Sequence, residues 1–226
     1  MLIYVIMLTS GTLDFLKKLS KNNDREWFQA NKKLFDAAQD NVTAFGGYLI
    51  GEIGKFDDAV ADIDPKSCVF RIYRDVRFSK DKSPYKTNLG LYLSPGGRKS
   101  MQPGYYFHIQ PGASFVAGGK HLPDGPETLR IRNAIVANTD EFLKIVKKKS
   151  YRDLFGEMRG ERLKNPPKGF DPEHKAIDYL KLKEFMAYAE LYDDKMLITP
   201  AFSKQMVKMA KEMYPLVAFL RKALAQ

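Results

Sequence analysis

Apolar residues recur at helical spacing in the first quarter of the chain. Leu13, Leu16 and Leu19, with Phe15 beside them, follow Thr12, whose hydroxyl suits an N-cap, so a short helix is predicted over 12–19. Asn22 and Asn23 interrupt. The helical period then resumes from Asp24 to about Ile53 through Trp27, Phe28, Leu34, Phe35, Phe45, Leu49 and Ile50. Gly46 and Gly47 fall inside this stretch, and because each costs roughly 1 kcal/mol relative to alanine they point to a kink or a close helix contact. From Ser67 to Gly119 the pattern changes to short alternating runs broken by Pro and Gly, which predicts strands at 68–78, 89–93, 105–109 and 114–117. The links are too short for crossover helices, so the sheet should be antiparallel.

The helical period returns over 126–136, and Thr139 is read as the cap of a further helix through Lys149. Residues 150–172 read as irregular structure around a short helix, and 184–191 as a further strand. Thr199 caps a long final helix whose stripe runs through Phe202, Met206, Met209, Met213, Leu216 and Phe219, with Pro215 expected to bend it. No repeat, linker or low-complexity tract separates these parts. The expected fold is therefore one α+β domain over 1–226, helical at 12–54, sheet at 67–119 and mixed but mostly helical at 126–226. Its curved, mostly antiparallel sheet should carry the N-terminal and C-terminal helices.

Composition narrows the class. With 44% hydrophobic and 12% aromatic residues in 226, the chain can bury a core, which excludes disorder throughout. No apolar run reaches the roughly 18 residues of a membrane helix, so a soluble protein without membrane contact is expected. Met1 to Leu8 is apolar but lacks a basic leader and a cleavage site, and reads as a first strand or a fraying terminus. A single cysteine, Cys68, and three histidines without metal-ligand spacing argue for a reducing cytoplasm and against a metal or other cofactor.

The net charge is +10, and its distribution says more than its sum. Residues 66–133 hold 12 basic and 4 acidic groups, against 7 and 10 before them and 18 and 13 after them. The middle of the chain would therefore attract phosphates, nucleic acid or acidic partners. Within it, residues 71–86 hold six basic and two acidic side chains. On a strand, Arg71, Tyr73, Asp75 and Arg77 would share one face, and Cys68, Phe70, Ile72, Val76 and Phe78 the other. Arg74 breaks this parity, which requires either a bulge that turns it outward or a buried carboxylate partner. Guanidinium groups two residues apart on a strand stand roughly 7 Å apart, a spacing suited to phosphate or carboxylate. Asp75 would orient them, with its pKa depressed by the neighbouring cations. Pro-turn chemistry in Asp81-Lys82-Ser83-Pro84-Tyr85-Lys86 would return Lys82 and Lys86 over that face. The competing reading is a salt-bridge network that staples the sheet, although two aspartates cannot pair six cations.

The run R-x-x-R-D-x-R-F-x-x-D-K-x-x-Y over Arg71 to Tyr85 resembles the signature of the domain-of-unknown-function 2461 family, bacterial proteins of similar length that also occur within larger fungal proteins. The N-N-x-R-x-W-F of Asn22 to Phe28, the P-G-Y-Y-F-H-I of Pro103 to Ile109 and the Leu129-Arg130-Ile131-Arg132 helix are similar to that family as well. The resemblance covers about residues 12–222 and implies an approximate architecture but no mechanism.

Other candidates carry less. His108, with Tyr106 and Gln110 on its face, could exchange protons near an anion or serve as a hydrogen-bonded sheet histidine. Gly118-Gly119-Lys120 lacks the upstream glycine and the following hydroxyl of a nucleotide-phosphate loop, and is read as closing a hairpin. The candidate ligand-binding residues are thus Arg71, Tyr73, Arg74, Asp75, Arg77, Asp81, Lys82, Tyr85, Lys86 and His108. The first expectation is binding of a phosphorylated or otherwise anionic ligand, as nucleotide or nucleic acid. The alternatives are a small-molecule hydrolase or transferase with an Asp/His acid-base site and an interaction module for an acidic partner.

Overall fold

A computed structural model describes residues 6–191 and 193–225. Most of the apolar run from Met1 to Leu8 lies outside the described residues. The described elements are α1 (Ser10–Lys21), α2 (Arg25–Ala30), α3 (Lys32–Ile53), α4 (Pro65–Cys68), β1 (Leu89–Leu93), β2 (Gly104–Ile109), β3 (Ser114–Lys120), α5 (Gly125–Ala137), α6 (Thr139–Val146), α7 (Lys149–Phe155), α8 (Ile177–Leu180), β4 (Phe185–Leu191), α9 (Asp194–Leu197) and α10 (Pro200–Leu224). The strands form an open antiparallel sheet in the order β1-β2-β3-β4, so the fold is α+β. Two compact units divide the chain, one from the described residues within 1–100, 106–116 and 190–208, the other from those within 101–105, 117–189 and 209–226. Among the described residues no helix is long and apolar enough to cross a membrane.

In the first unit, α1 begins earlier than its pattern predicts. Thr9 is the N-cap and accepts from the Thr12 amide, while Thr12 itself is buried and donates to Asn41 Oδ1 at 2.7 Å. The long helix expected from Asp24 divides at Asn31 into α2, capped by the Asp24 carboxylate, and α3. No break occurs at Gly46. A Cβ there would stand 3.1 Å from Leu91 Cδ2, so this glycine lets α3 approach β1 closely. Along β1 to β3, Leu89, Leu91, Leu93, Phe107, Ile109 and Val116 are buried, whereas Tyr92, Tyr106, His108 and Phe115 are half-buried. This alternation gives the sheet a core face and a second, less covered face.

The strand predicted at 68–78 does not form. Pro65, with Asp64 as N-cap, starts a helical turn that ends at Cys68, and beyond it only the isolated bridges Val69↔Leu91 and Tyr73↔Tyr85 remain. Pro84 offers no amide to a ladder. The polar side chains of the segment bond instead to nearby backbone, Asp75 to the Arg77 amide, Asp81 to the Ser83 amide and Lys82 to the Val76 carbonyl. Residues 75–83 are consequently a loop, and Phe78, placed by parity on the apolar side, is 96% exposed.

In the second unit, Ile131, Ile135, Phe142, Leu180, Met213, Leu216 and Phe219 are buried together with Phe185 of β4, which forms where the sequence predicts it. Thr139 does not cap α6; its hydroxyl donates back to the carbonyls of Ile135 and Val136. Gly118-Gly119-Lys120 closes no hairpin but ends β3. Gly119 has φ +136°, and a Cβ there would lie 2.1 Å from the Phe185 carbonyl oxygen, so only glycine fits beside β4. Lys120 is buried and pairs with Glu127 at 2.8 Å. Thr199, a residue of the first unit, caps α10 as expected through its hydroxyl to the Phe202 amide, and the predicted apolar stripe of that helix is buried.

Tyr85 joins the loop segment to the helical layer. Its ring stacks on Phe28 at 3.9 Å, its amide donates to Asn23 Oδ1 at 3.1 Å, and its carbonyl accepts from Asn23 Nδ2 at 2.9 Å. Asn23→Ala would leave both backbone groups without partners, so urea unfolding should show a loss of about 1–3 kcal/mol. An unchanged unfolding midpoint would contradict the role of this clamp.

Candidate functional site

Two segments flank the loop and hold its base. The Phe70 amide donates to the Gly90 carbonyl at 3.0 Å, the Lys86 amide to the Ile72 carbonyl at 2.7 Å, and the Arg74 amide to the Pro84 carbonyl at 2.9 Å. Successive side chains of extended backbone point to opposite sides. With Tyr85 directed into the core against Phe28, Lys86 is directed the other way, over the Phe70 ring at 5.6 Å from its centroid. Lys86 is half-buried, and its ammonium forms no hydrogen bond or ion pair with any described residue. Burial, and then the positive charge of Arg71, hold its ammonium below the usual lysine range.

Beside Lys86 lies the second face of β1 to β3. Phe70 meets Tyr106 edge-on at 6.0 Å, Tyr106 meets Phe115 at 5.5 Å, and the His108 ring stacks on Phe115 at 4.4 Å. A Cβ on Gly90 would stand 2.8 Å from the Tyr106 hydroxyl, so glycine is what leaves room for that phenol. His108 Nε2 lies 2.9 Å from Gln110 Oε1, which can only accept. The proton of the neutral ring therefore sits on Nε2, and Nδ1 accepts from the Tyr106 hydroxyl at 3.0 Å. Burial holds the imidazole below its ordinary pKa and the Lys86 charge adds to that, while the Gln110 bond opposes it. Burial also pushes the Tyr106 phenol up to about 12, so it remains a neutral donor.

The rest of the motif satisfies itself. Arg74 pairs with Asp81 and donates to Ser83 Oγ at 2.7 Å, which links the two arms of the loop. Its guanidinium is half-buried rather than sunk in the core, and its exposed partner lies in the same loop. With no strand over 68–78, alternation does not direct Arg74 into the core. Asp75 takes two bonds from Arg77, at 3.0 Å from Nε and 2.7 Å from a terminal nitrogen. Lys82 Nζ caps the Val76 carbonyl at 2.9 Å. Hydrogen bonds from the Arg77 side chain and amide hold the Asp75 carboxyl down to about 2, and the Ser83 amide followed by Arg74 does the same for Asp81.

The ten sequence-derived residues thus fall into three sets. Arg71, Lys86 and His108 interact electrostatically around Phe70; Tyr73 and Tyr85 form an aromatic group with Phe28; Arg74, Asp75, Arg77, Asp81 and Lys82 brace the loop. Sequence reasoning missed Phe115 and Asn88, whose amide lies 3.4 Å from His108 Nδ1. Their alternation with Leu89 and Val116 is the signal that places both on the His108 side. Gln110 also lines a cleft of about 330 Å³ with Lys17, Thr87 and Asp194. Among the described residues no carboxylate hydrogen-bonds to His108, and no group of three side chains could hold a metal.

Both loop carboxyls are exposed, so their depressed values matter for local order. The ordering they provide is complete above the ordinary carboxyl pKa of about 4 and is lost as pH falls through about 2. NMR titration of the Asp75 and Asp81 carboxyl carbons should give midpoints near 2. Arg74→Met should lower global stability by less than about 1 kcal/mol while amide exchange over 75–83 accelerates. Carboxyl midpoints near 4, or global unfolding by Arg74→Met, would contradict a self-braced loop.

The sequence profile of one family, described as conserved hypothetical protein (DUF2461), matches residues 11–219. No curated protein and no solved structure matches the chain. The motif residues of that resemblance now have positions, with Asn23 and Phe28 on Tyr85, Arg74 and Asp81 across the loop, Tyr106 and His108 on the sheet, and Arg132 donating to the Leu180 carbonyl at 2.7 Å. The match spans nearly the whole sequence, and the chain belongs to the DUF2461 family.

Proposed function

We propose that the chain binds single-stranded nucleic acid on the second face of β1 to β3, with Lys86 and Arg71 on phosphates and the rings of Phe70, Tyr106 and Phe115 as the stacking surface. One observation carries this reading: Lys86 is half-buried beside a second cation and has no carboxylate. A structural network would pair such a charge, as the loop pairs Arg74 and Arg77. A ligand phosphate supplies the missing anion. The adjoining rings suit bases, since each base–aromatic stack contributes about 1–3 kcal/mol whatever the sequence. Basic grooves with interleaved aromatics bind single strands in this way.

An acid-base enzyme is less well supported. Asp75 and Asp81 are committed to arginine and backbone partners, and His108 is oriented by Tyr106 and Gln110. Its neutral ring can take a second proton in place. Nδ1 would then donate to the Tyr106 oxygen while Nε2 keeps its bond to Gln110. In the free protein this protonation is disfavoured; a neighbouring phosphate reverses the sign.

Fluorescence anisotropy with a labelled single-stranded oligonucleotide tests the reading. Lys86→Met and Arg71→Ala should each flatten the dependence of log affinity on log salt by about 0.7. Melting should stay unchanged, because neither side chain forms an ion pair to a described residue. Affinity should rise as pH falls from about 7.5 to about 6, with the His108 imidazole signal titrating higher in the complex than in the free protein. Absence of binding by the parent protein, or equal binding by the double variant, would overturn the reading.

A further inference from the structure

We infer that Phe78 is a stacking tip that extends the strand path beyond the sheet face, an inference that rests on the nucleic-acid reading above. Phe78 is 96% exposed, and a phenyl ring standing in water contributes nothing to the core. The loop that presents it is nevertheless braced. Arg74 links its two arms through Asp81 and Ser83, and Lys82 caps the Val76 carbonyl two residues before the ring. Asp75 grips Arg77, whose guanidinium stands 5.8 Å from the Phe78 centroid. One side of the ring thus faces a fixed cation, and a second planar group can stack opposite.

The charge around the tip points to the same ligand. Lys80 and Lys82 are exposed in the same loop, and Asp81 between them is already paired with Arg74. A lone ring gives little area for insertion into lipid, whereas its size fits one base. From the Tyr73 bridge to Phe78 the chain spans at most about 17 Å. A stacked strand anchored at Lys86 and Arg71 rises roughly 3.4 Å per nucleotide, so about eight nucleotides cover that full span and about four fall short of it. A short oligonucleotide would thus be held by the sheet face alone and a longer one also by the tip.

The test compares labelled single-stranded oligothymidylates of about four and about eight nucleotides on the full chain. Phe78→Ala should leave the shorter probe unaffected and weaken the longer one roughly 5- to 140-fold, the worth of one stack. Phe78→Trp should restore it. Circular dichroism should match the parent, since the ring is exposed. If Phe78→Ala binds both probes as the parent does while Lys86→Met loses both, the tip has no role and the sheet-face reading stands. The tip inference is equally overturned if Phe78→Ala changes only sedimentation with anionic phospholipid vesicles, which would place the ring at a lipid surface. A parent protein that binds neither probe sinks both readings.

Discussion

The site depends on how Tyr85 is pinned. Phe28 stacks on its ring and the Asn23 amide satisfies both of its backbone groups, so this residue cannot rotate away from the helical layer. Extended backbone then obliges Lys86 to point to the opposite side. There the lysine lies over Phe70, close enough to Arg71 and His108 for their charges to interact. A core contact thus fixes the position of a cation that the core does not use. Asn23 and Tyr85 are 62 residues apart in sequence, which makes the geometry of the basic segment a property of the folded unit.

Charge balance separates the cations of the motif into two kinds. Arg74 and Arg77 are neutralised within the loop by Asp81 and Asp75, and surface pairs of this type order a segment more than they stabilise a fold. Arg71 and Lys86 lack such partners, and each makes ionisation of the Lys86–His108 side of the sheet less favourable. The arrangement leaves unfavourable electrostatics that a bound anion would relieve. Tyr106 remains neutral because burial raises its pKa to about 12, so its hydroxyl donates to the neutral His108 ring and would accept from the protonated one.

Most helices and the strands β1, β2, β3 and β4 were legible from periodicity, because each places one apolar face against a core. The strand expected at 68–78 was not. Its alternation is real, but the helical turn at Pro65 and the local bonds of Asp75, Asp81 and Lys82 outcompete a ladder. With that strand lost, the parity assigned to Arg74 and Phe78 lost its meaning. Depression of the Asp75 pKa by neighbouring cations was legible, since it needs only local sequence; Arg77 dominates it and Arg71 contributes little. The meeting of Phe70, Tyr106 and Phe115 was not, because it depends on strand order and on the space left by Gly90.

The central claim is that one sheet face, with Lys86 at its edge, receives a single strand. Heteronuclear NMR of the chain titrated with a short single-stranded oligonucleotide tests it most directly. The account predicts that the Lys86 side-chain signals, the His108 imidazole and the ring signals of Phe70, Tyr106 and Phe115 move together, with a single midpoint. Perturbations that bypass these residues, or none at all at low salt, would contradict it.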